Sequence, residues 1–470
     1  MKKLITHSLL MIFVLISCQG ETAENENIDS PQVEPITQIT SQLKQEDVID
    51  KPFENIDVPF QSFNYNNKKG STIELPSGTL IKIPKKAFQD ENGNPVSENI
   101  EIKYREFHDI GDIMLSGIKM TYQDGDFESA GMFEIRAEES GKNLELKADK
   151  EIDIEMASYR EGDFDSFVMD EKAKQWNFIE KSKAKPNERK QKRIEKNKAA
   201  EASLLPVCSE QPRALKDTDE IFDLDFSFYR HKELSFLNGA MWIIKGDDDT
   251  KKKFKYDRKQ YNDISITPLD SSCNDYTIQL WNRSEVDADK DPVKTTYTAE
   301  PVWTGNELRK AKKDYKKRLR EFKKQLKEIE KERRSLEREA DLVRSFKLKG
   351  MGIYNCDRTL DYIKMVAVGI IISCREKIKN WWYITMNKKV AIKYYQPNDG
   401  TFKYNPNGEN SVIAVLPNDK LGVVTPEEFE RAYEAYRKSD DPNKILEVEM
   451  TVEGESMAER QQFKKHIARY

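Results

Sequence analysis

The most regular alternation of apolar and polar positions in the chain lies between Asn306 and Val343. Apolar residues recur there at heptad spacing, and almost every other residue is Lys, Arg or Glu, with no Gly or Pro after Gly305. This period predicts one long helix with a narrow apolar stripe, about 55–60 Å in length. The stripe has a first column, Leu308, Tyr315, Phe322, Ile329, Leu336 and Val343, and a second column, Leu319, Leu326 and Ala340, interrupted by Lys312 and Arg333.

Two arrangements would cover this narrow stripe. The helix could lie along the β blocks of its own chain, or it could pair with a second copy as a coiled coil. Lys312 and Arg333 would place charges in a coiled-coil seam, and basic residues outnumber acidic ones along the segment. Buried unpaired charges are costly, so we favour packing within the chain.

Strand-like alternation flanks the helix on both sides. Ile100, Ile102 and Tyr104, for example, alternate with charged residues, and turn-forming clusters separate such segments. The sequence predicts a mainly β, multidomain fold of antiparallel sandwich-like blocks, with the long charged helix between the second and third blocks. The predicted segments are a signal peptide (1–17), a flexible acidic and polar tether (18–57), a first β-sandwich domain (58–180), a basic polar linker (181–218), a second β-rich domain (219–304), the long amphipathic helix (305–344) and a C-terminal β-rich domain with terminal helices (345–470).

The N-terminus carries the pattern of an export signal. Lys2 and Lys3 precede a short apolar run that ends in Leu15-Ile16-Ser17-Cys18. The run is too short to span a bilayer, which is typical of a signal peptide. Its end resembles the bacterial lipobox, and the resemblance implies that Cys18 is lipidated after cleavage and serves as a membrane anchor. The alternative is an uncleaved leader with an incidental cysteine.

The acidic residues that follow Cys18 bear on localisation. They resemble the signal that sends Bacteroidota lipoproteins to the outer face of the outer membrane. An ordinary acidic tether, with the protein facing the periplasm, is the simpler alternative. We expect an outer membrane lipoprotein of the cell envelope and leave its orientation, periplasmic or cell-surface facing, open.

One stretch of the first β block is similar to a known module. The segment 70–88, GSTIELPSGTLIKIPKKAF, contains a Gly, a strand, a small turn and an Ile-Pro-x-x-Ala element in the order found in ZU5 β-sandwiches. The segments 102–109 and 127–135 resemble a Bacteroidota-type lipoprotein family. The ZU5-like region covers about residues 68–140. The resemblance implies a binding or scaffolding module, and it transfers no functional residue to this chain.

Charge limits the partners that the chain can bind. The net charge of −5 argues against a general nucleic-acid binder, whose domain would be basic. The segment 181–200 is an exception, because it is rich in Lys and Arg and lacks apolar periodicity. It is typical of a solvated linker or partly helical strut, and a contact to glycan, lipopolysaccharide or lipid headgroups is the alternative.

Candidate catalytic and metal-binding residues are sparse. His108-Asp109 could form half of a proton-transfer pair, although a polar strand end explains it more simply. The Asp-rich segment 287–291 begins like a calcium loop but lacks its Gly and its final Glu. Asp124 and Asp126, together with Glu128, could hold a hard cation, but a two-residue hairpin turn explains these residues more simply. We therefore predict no catalytic residue, no metal ion and no cofactor.

Four cysteines follow Cys18. An exported protein meets an oxidising compartment, so disulfides between Cys356 and Cys374 and between Cys208 and Cys273 are candidates. Buried free thiols are the equal alternative. Cys356 also lies in Asn355-Cys-Asp-Arg358, where a catalytic Cys-Asp pair is conceivable but a structural role is favoured.

These observations lead to one functional expectation and one alternative. We expect a membrane-anchored, non-enzymatic envelope lipoprotein that binds or scaffolds an envelope protein or a glycan and does not bind nucleic acid. The alternative is an exported hydrolase acting on glycan or peptide. A hydrolase of that kind would need a cleft with two carboxylates on opposed walls, about 5–10 Å apart.

Overall fold

The structure is a computed structural model that describes residues 49–469, except 124, 205–206, 208–209, 225–235, 270–273, 287–291, 361–364, 386–389 and 395–401. Over these residues the chain is mainly β, with antiparallel sheets and six helices. The predicted fold class, including a long helix between sheet blocks, is confirmed. None of the described helices is long and apolar enough to cross a membrane.

The elements up to Pro186 are thirteen strands and one short helix among the described residues. They are β1 Gln61–Asn66, β2 Ser71–Glu74, β3 Leu80–Ile83, β4 Phe88–Gln89, β5 Asn99–Phe107, α1 Ile110–Ser116, β6 Thr121–Tyr122, β7 Gly125–Glu139, β8 Lys142–Asn143, β9 Glu145–Leu146, β10 Ile152–Ser158, β11 Asp163–Asp170, β12 Gln175–Lys183 and β13 Lys185–Pro186.

A middle module follows between two helices. Its elements are α2 Glu188–Ala202, β14 Arg213–Ala214, β15 Met241–Ile244, α3 Asp248–Gln260, β16 Asp263–Pro268, β17 Tyr276–Val286, β18 Pro292–Trp303 and α4 Gly305–Arg338. The remaining elements are β19 Leu342–Leu348, β20 Gly352–Thr359, β21 Val366–Ser373, β22 Asn380–Thr385, β23 Val390–Tyr394, β24 Phe402–Tyr404, β25 Ser411–Val415, β26 Lys420–Val424, α5 Pro426–Lys438, β27 Ile445–Glu449, β28 Thr451–Ser456 and α6 Arg460–Ile467.

Two sheets form the N-terminal sandwich. One has the strand order β1-β5-β7-β20-β11-β12 and the other β13-β19-β10-β3-β2. Side chains that alternate along the strands, such as Tyr104 and Phe133 from one sheet and Ile154 from the other, fill the shared core. Because β19 and β20 lie in these two sheets, the predicted boundary at 345 is wrong. Residues 342–359 complete the sandwich by pairing with strands that lie about 200 positions earlier in the chain, before the long helix.

The opposite face of the larger sandwich sheet builds a second core. It packs against α1, α6 and the sheet β23-β22-β25-β26-β28. Phe53, which is only 2% exposed, and Ile56 also lie in this core. The predicted tether therefore ends before these residues, because their apolar side chains are buried rather than solvated. The far side of the C-terminal sheet forms a third core with α5 and the sheet β24-β21-β27.

The predicted linker 181–218 is a packed element over much of its length. It contains the end of β12, the short β13 and the whole of α2, and α2 lies against α4. Asn187 caps α2 and donates to the Ala340 carbonyl, and Asn197 donates to the Ile329 carbonyl. Polar contacts of this kind hold α2 in place, which explains why its sequence shows no apolar period.

Helix α4 ends at Arg338, six residues before the predicted end. Val343, the last residue of the predicted stripe, belongs to β19 instead. Ala311 and Tyr315 are buried at one end of the helix, and Ile329 and Leu336 are buried at the other. The middle of the stripe, including Phe322, is only half-buried. The helix thus joins the middle module to the sandwich and packs within its own chain.

Candidate functional site

A cleft of about 240 Å³ lies between the sandwich and the C-terminal sheet. The end of α1 and the β6–β7 hairpin form one wall, and β22 and β23 form the other. Its lining residues are Ile113, Gly117, Ile118, Lys119, Met120, Thr121, Gln123, Gly125, Asp126, Trp382, Ala391 and Lys393. Clefts between packed units that combine apolar walls with a few polar groups are the usual location of binding sites.

Local sequence shapes the first wall of the cleft. Gly117 ends α1 in the left-handed conformation, with φ of 65°, and a Cβ there would lie 2.5 Å from the Asp50 carbonyl. Only glycine fits both constraints without strain. Beyond it, Thr121 pairs with Asp126 and Tyr122 pairs with Gly125, which confirms the hairpin predicted around Asp126.

Lys393 dominates the electrostatics of the second wall. Its ammonium lies 2.6 Å from the Asp50 carboxylate, donates a 3.0 Å hydrogen bond to the Asp50 carbonyl, and stands 5.3 Å from the centre of the Trp382 ring. The backbone N–H of Asp50 in turn donates to the Gly117 carbonyl at 2.9 Å. The first described residues of the chain are therefore fixed beside the cleft, between its two walls.

A buried polar pair lies next to the cleft residue Met120. The Asn355 amide contacts the Met120 sulfur at 3.8 Å and donates to the Asp357 carboxyl, and Ser129 donates to Asn355 at 3.3 Å. Asp357 is 0% exposed, and this burial raises its pKa well above the usual range. One oxygen of Asp357 has no hydrogen-bond partner among the described residues. Burial thus favours the protonated, uncharged form of Asp357.

Cys356 and Asp357 do not form a catalytic pair. Alternation along β20 places them on opposite faces of the sheet, and Cys356 lies in the sandwich core. Burial raises the pKa of Cys356 to about 12 despite the nearby Arg344 guanidinium. A thiol with that pKa remains protonated at neutral pH, so it is a poor nucleophile. The favoured structural role of Cys356 agrees with this environment.

The candidate disulfide between Cys356 and Cys374 is not formed, and both residues are free thiols, the equal alternative. Cys356 belongs to the sandwich core, whereas Cys374 packs against the core of the C-terminal sheets. Cys356 lies in β20 and Cys374 directly follows β21, and these two strands belong to different sheets. Cys208 and Cys273, the second candidate pair, lie outside the described residues, as does the lipidation candidate Cys18.

His108 pairs with Glu106 and not with Asp109. The distance from His108 Nε2 to the Glu106 carboxylate is 3.1 Å, whereas Asp109 caps α1 and lies 2.5 Å from the Lys464 ammonium. Burial opposes ionisation of Glu106, but His108 and the hydroxyl of Thr79 outweigh it, so the pKa of Glu106 is lowered. Sequence reasoning missed Glu106, although residues two apart on a strand share a face.

Metal chemistry has no support in the part of the chain that the structure describes. There, no three His, Cys, Asp or Glu side chains come together in a group that could hold an ion. The calcium-like segment 287–291 lies outside that part. Glu128, a candidate ligand near Asp126, is paired with Arg358 at 2.7 Å.

Comparisons of the chain with protein-family models, with curated proteins and with solved structures found no match. The function is therefore inferred from the cleft and its surroundings.

Proposed function

We propose that this chain is a membrane-anchored, non-enzymatic lipoprotein of the bacterial cell envelope that binds a protein partner in the cleft. The cleft between the sandwich and the C-terminal sheet is the observation that carries this proposal. Its walls come from two separately built sheets, so its shape is fixed by their packing. A preformed cleft lowers the entropic cost of binding.

The size and lining of the cleft favour a protein partner. Its volume is below the ~300–1,000 Å³ of typical small-molecule pockets, and it suits a single apolar side chain of a larger partner. Trp382 is only 4% exposed, with the Lys393 ammonium near its ring, so it offers no open aromatic face on which a sugar could stack. Ile113, Met120 and Ala391 supply apolar contact surface.

The same lining disfavours the hydrolase alternative. Glycoside hydrolysis requires two carboxylates facing each other across the substrate. Asp126 is the one acidic side chain among the described residues that line the cleft. Asp357, although close to Met120, is buried and carries a raised pKa. These features support binding rather than acid–base catalysis.

The proposed anchor and the cleft lie close together along the chain. Lipidation at Cys18, in the outer membrane, would leave the segment up to residue 48 between the anchor and Asp50, which borders the cleft. The partner would then be recruited near the point where the tether joins the folded part. The ZU5-like resemblance, which implies a binding or scaffolding module, is in keeping with this role.

A site-specific photo-crosslinking experiment in intact bacteria tests the proposal. A photoreactive amino acid at Thr121, inside the cleft, is expected to give a discrete protein adduct, whereas the same probe at the exposed Ala173 is not. The second-site substitution Ala391→Phe, which fills the cleft, should abolish the adduct. Ala173→Phe serves as its matched control and should leave the adduct intact.

Circular dichroism checks that both variants are folded. An adduct that persists at full yield in a folded Ala391→Phe variant would contradict binding in the cleft. The same conclusion would follow if the Thr121 probe gave only adducts to carbohydrate.

A further inference from the structure

One face of α4 carries a continuous basic stripe. With ~100° per residue, its members fall within an arc of about 120° and extend over about 27 Å of the helix. All of them are exposed. The basic stripe consists of Arg309, Lys313, Lys316, Lys317, Arg320, Lys323, Lys324 and Lys327.

The charge of this part of α4 is opposite to that of the whole chain. Residues 309–327 include eleven basic and two acidic residues, a net charge of +9 in a chain of net charge −5, so the other residues sum to −14. The two acids, Asp314 and Glu321, fall outside the arc of the stripe. The charges are therefore segregated along the helix rather than interspersed.

The basic stripe is not neutralised by the part of the chain that the structure describes. Across the described residues, none of its eight members forms an ion pair, and the adjacent Lys310 pairs with Glu307. The basic residues of α2 differ, because Arg189 pairs with Glu155, Lys190 with Asp341, and Arg193 with both Glu332 and Glu339. Several basic residues of the segment 181–200, the candidate anion contact, thus form ion pairs within the protein. The side chains of the basic stripe on α4 are exposed instead.

The orientation of the stripe is fixed by packing. Ala311 and Tyr315 are buried at one end of α4, and Ile329 and Leu336 are buried at the other. The helix cannot rotate to turn the stripe inward without exposing these side chains. Eight like charges held on one face repel each other, and an external anionic surface would relieve that repulsion.

We infer that the basic stripe binds the anionic headgroup surface of a lipid bilayer. Mobile lipid headgroups can arrange themselves along a convex row of cations, and each Lys or Arg near such a surface adds to the attraction. A single-stranded nucleic acid would need aromatic stacking side chains, and the stripe has none. This inference depends neither on the cleft nor on lipidation of Cys18.

The test uses the full chain with Cys18→Ser, so that no acyl chain can mediate binding. Sedimentation with vesicles of phosphatidylcholine, alone or mixed with phosphatidylglycerol, measures partitioning. We expect binding only to the mixed vesicles, weakened by salt. Lys316→Glu/Arg320→Glu/Lys323→Glu should reduce the partition coefficient at least tenfold, roughly as expected for three lost contacts and added repulsion.

A matched control carries the same charge change elsewhere, at the exposed residues Lys142, Lys172 and Lys181, each replaced by Glu. It should bind the mixed vesicles like the parent protein. Equal partitioning of the two triple variants would overturn the inference. So would a parent protein that binds dextran sulfate beads but neither type of vesicle, since the ligand would then be a soluble polyanion. Circular dichroism confirms that each variant is folded.

Discussion

The Lys190 ammonium donates a 2.7 Å hydrogen bond to the Glu339 carbonyl, and this contact joins the first turn of α2 to the residue that follows α4. Lys190 is only 7% exposed and also lies 2.8 Å from the Asp341 carboxylate. The chain therefore leaves the sandwich through α2 and returns to it through α4, and the two helices lie side by side. The middle module is attached to the sandwich through this polar contact as well as through apolar packing.

Replacing Lys190 by Met should destabilise the protein by about 2 kcal/mol. The substitution keeps the apolar stem but leaves the buried Glu339 carbonyl without its donor. Urea unfolding followed by circular dichroism measures the change, and limited proteolysis should show faster cleavage around α2. Lys192→Met, at an exposed position of the same helix, should be neutral within about 0.5 kcal/mol. Equal effects of the two substitutions would contradict the proposed contact.

Substitutions at the two ends of the apolar stripe of α4 should destabilise the protein more than substitutions in its middle. Ile329→Ala is expected to cost about 2–3 kcal/mol because Ile329 is buried, whereas Phe322→Ala should cost less than about 1 kcal/mol because Phe322 is half-buried. Light scattering should show a monomer for the unlipidated chain and both variants. A dimer that Phe322→Ala converts to a folded monomer would instead support the coiled-coil alternative.

Asp357 should make stability depend on pH. Because its pKa is raised in the folded state, the folded protein retains a proton that the unfolded chain releases near pH 4. The contribution of protonated Asp357 to the free energy of unfolding is thus fully present below that pH. It decreases as the pH rises, by about 1.4 kcal/mol per pH unit, until the folded-state pKa is reached. Asp357→Asn removes this dependence, so its stability relative to the parent should increase with pH.

Urea unfolding at several pH values between 4 and 8 measures this effect. Asp149→Asn, at an exposed position, is the control and should follow the parent protein. A stability difference between Asp357→Asn and the parent that stays constant over this range would show that Asp357 is ionised in the fold.

The thiols of Cys356 and Cys374 should differ in reactivity. Cys356 is buried with a pKa raised to about 12, whereas Cys374 is only partly buried. Iodoacetamide at pH 8 should alkylate Cys374 in the native protein and leave Cys356 unmodified. Both should react in urea without prior reduction. Peptide mass spectrometry resolves the two sites, and a Cys356–Cys374 crosslinked peptide would contradict the structure.

Cys18→Ala should release the protein from membranes if Cys18 is the lipid anchor. The change removes the acyl attachment site, and multiple acyl chains provide most of the binding energy of such an anchor. Fractionation after a high-salt wash, which removes electrostatic attachment through the basic stripe, measures the result. Cys374→Ala is the matched control and should remain with the membranes. Retention of Cys18→Ala in the washed membranes would argue against lipidation.

Local patterns in the sequence predicted many of the elements. The period of the charged segment identified α4, and the alternation of Ile100, Ile102 and Tyr104 identified β5. The segment Thr425-Pro-Glu-Glu has the pattern of a helix start, and α5 begins there with a capping box between Thr425 and Glu428. These features depend on residues within a few positions of each other, so their sequence patterns carry the information.

Tertiary structure alone decided how these elements combine. The sequence shows that β19 and β20 have one apolar face, but not that they pair with β10 and β7 of the sandwich. The pairing of His108 with Glu106 and the cleft between β7 and β23 likewise depend on which sheets meet. Alternation determines which face of a strand is buried, whereas the choice of partner depends on packing across the whole fold. For that reason the domain boundaries, the free state of Cys356 and Cys374 and the cleft followed only from the assembled cores.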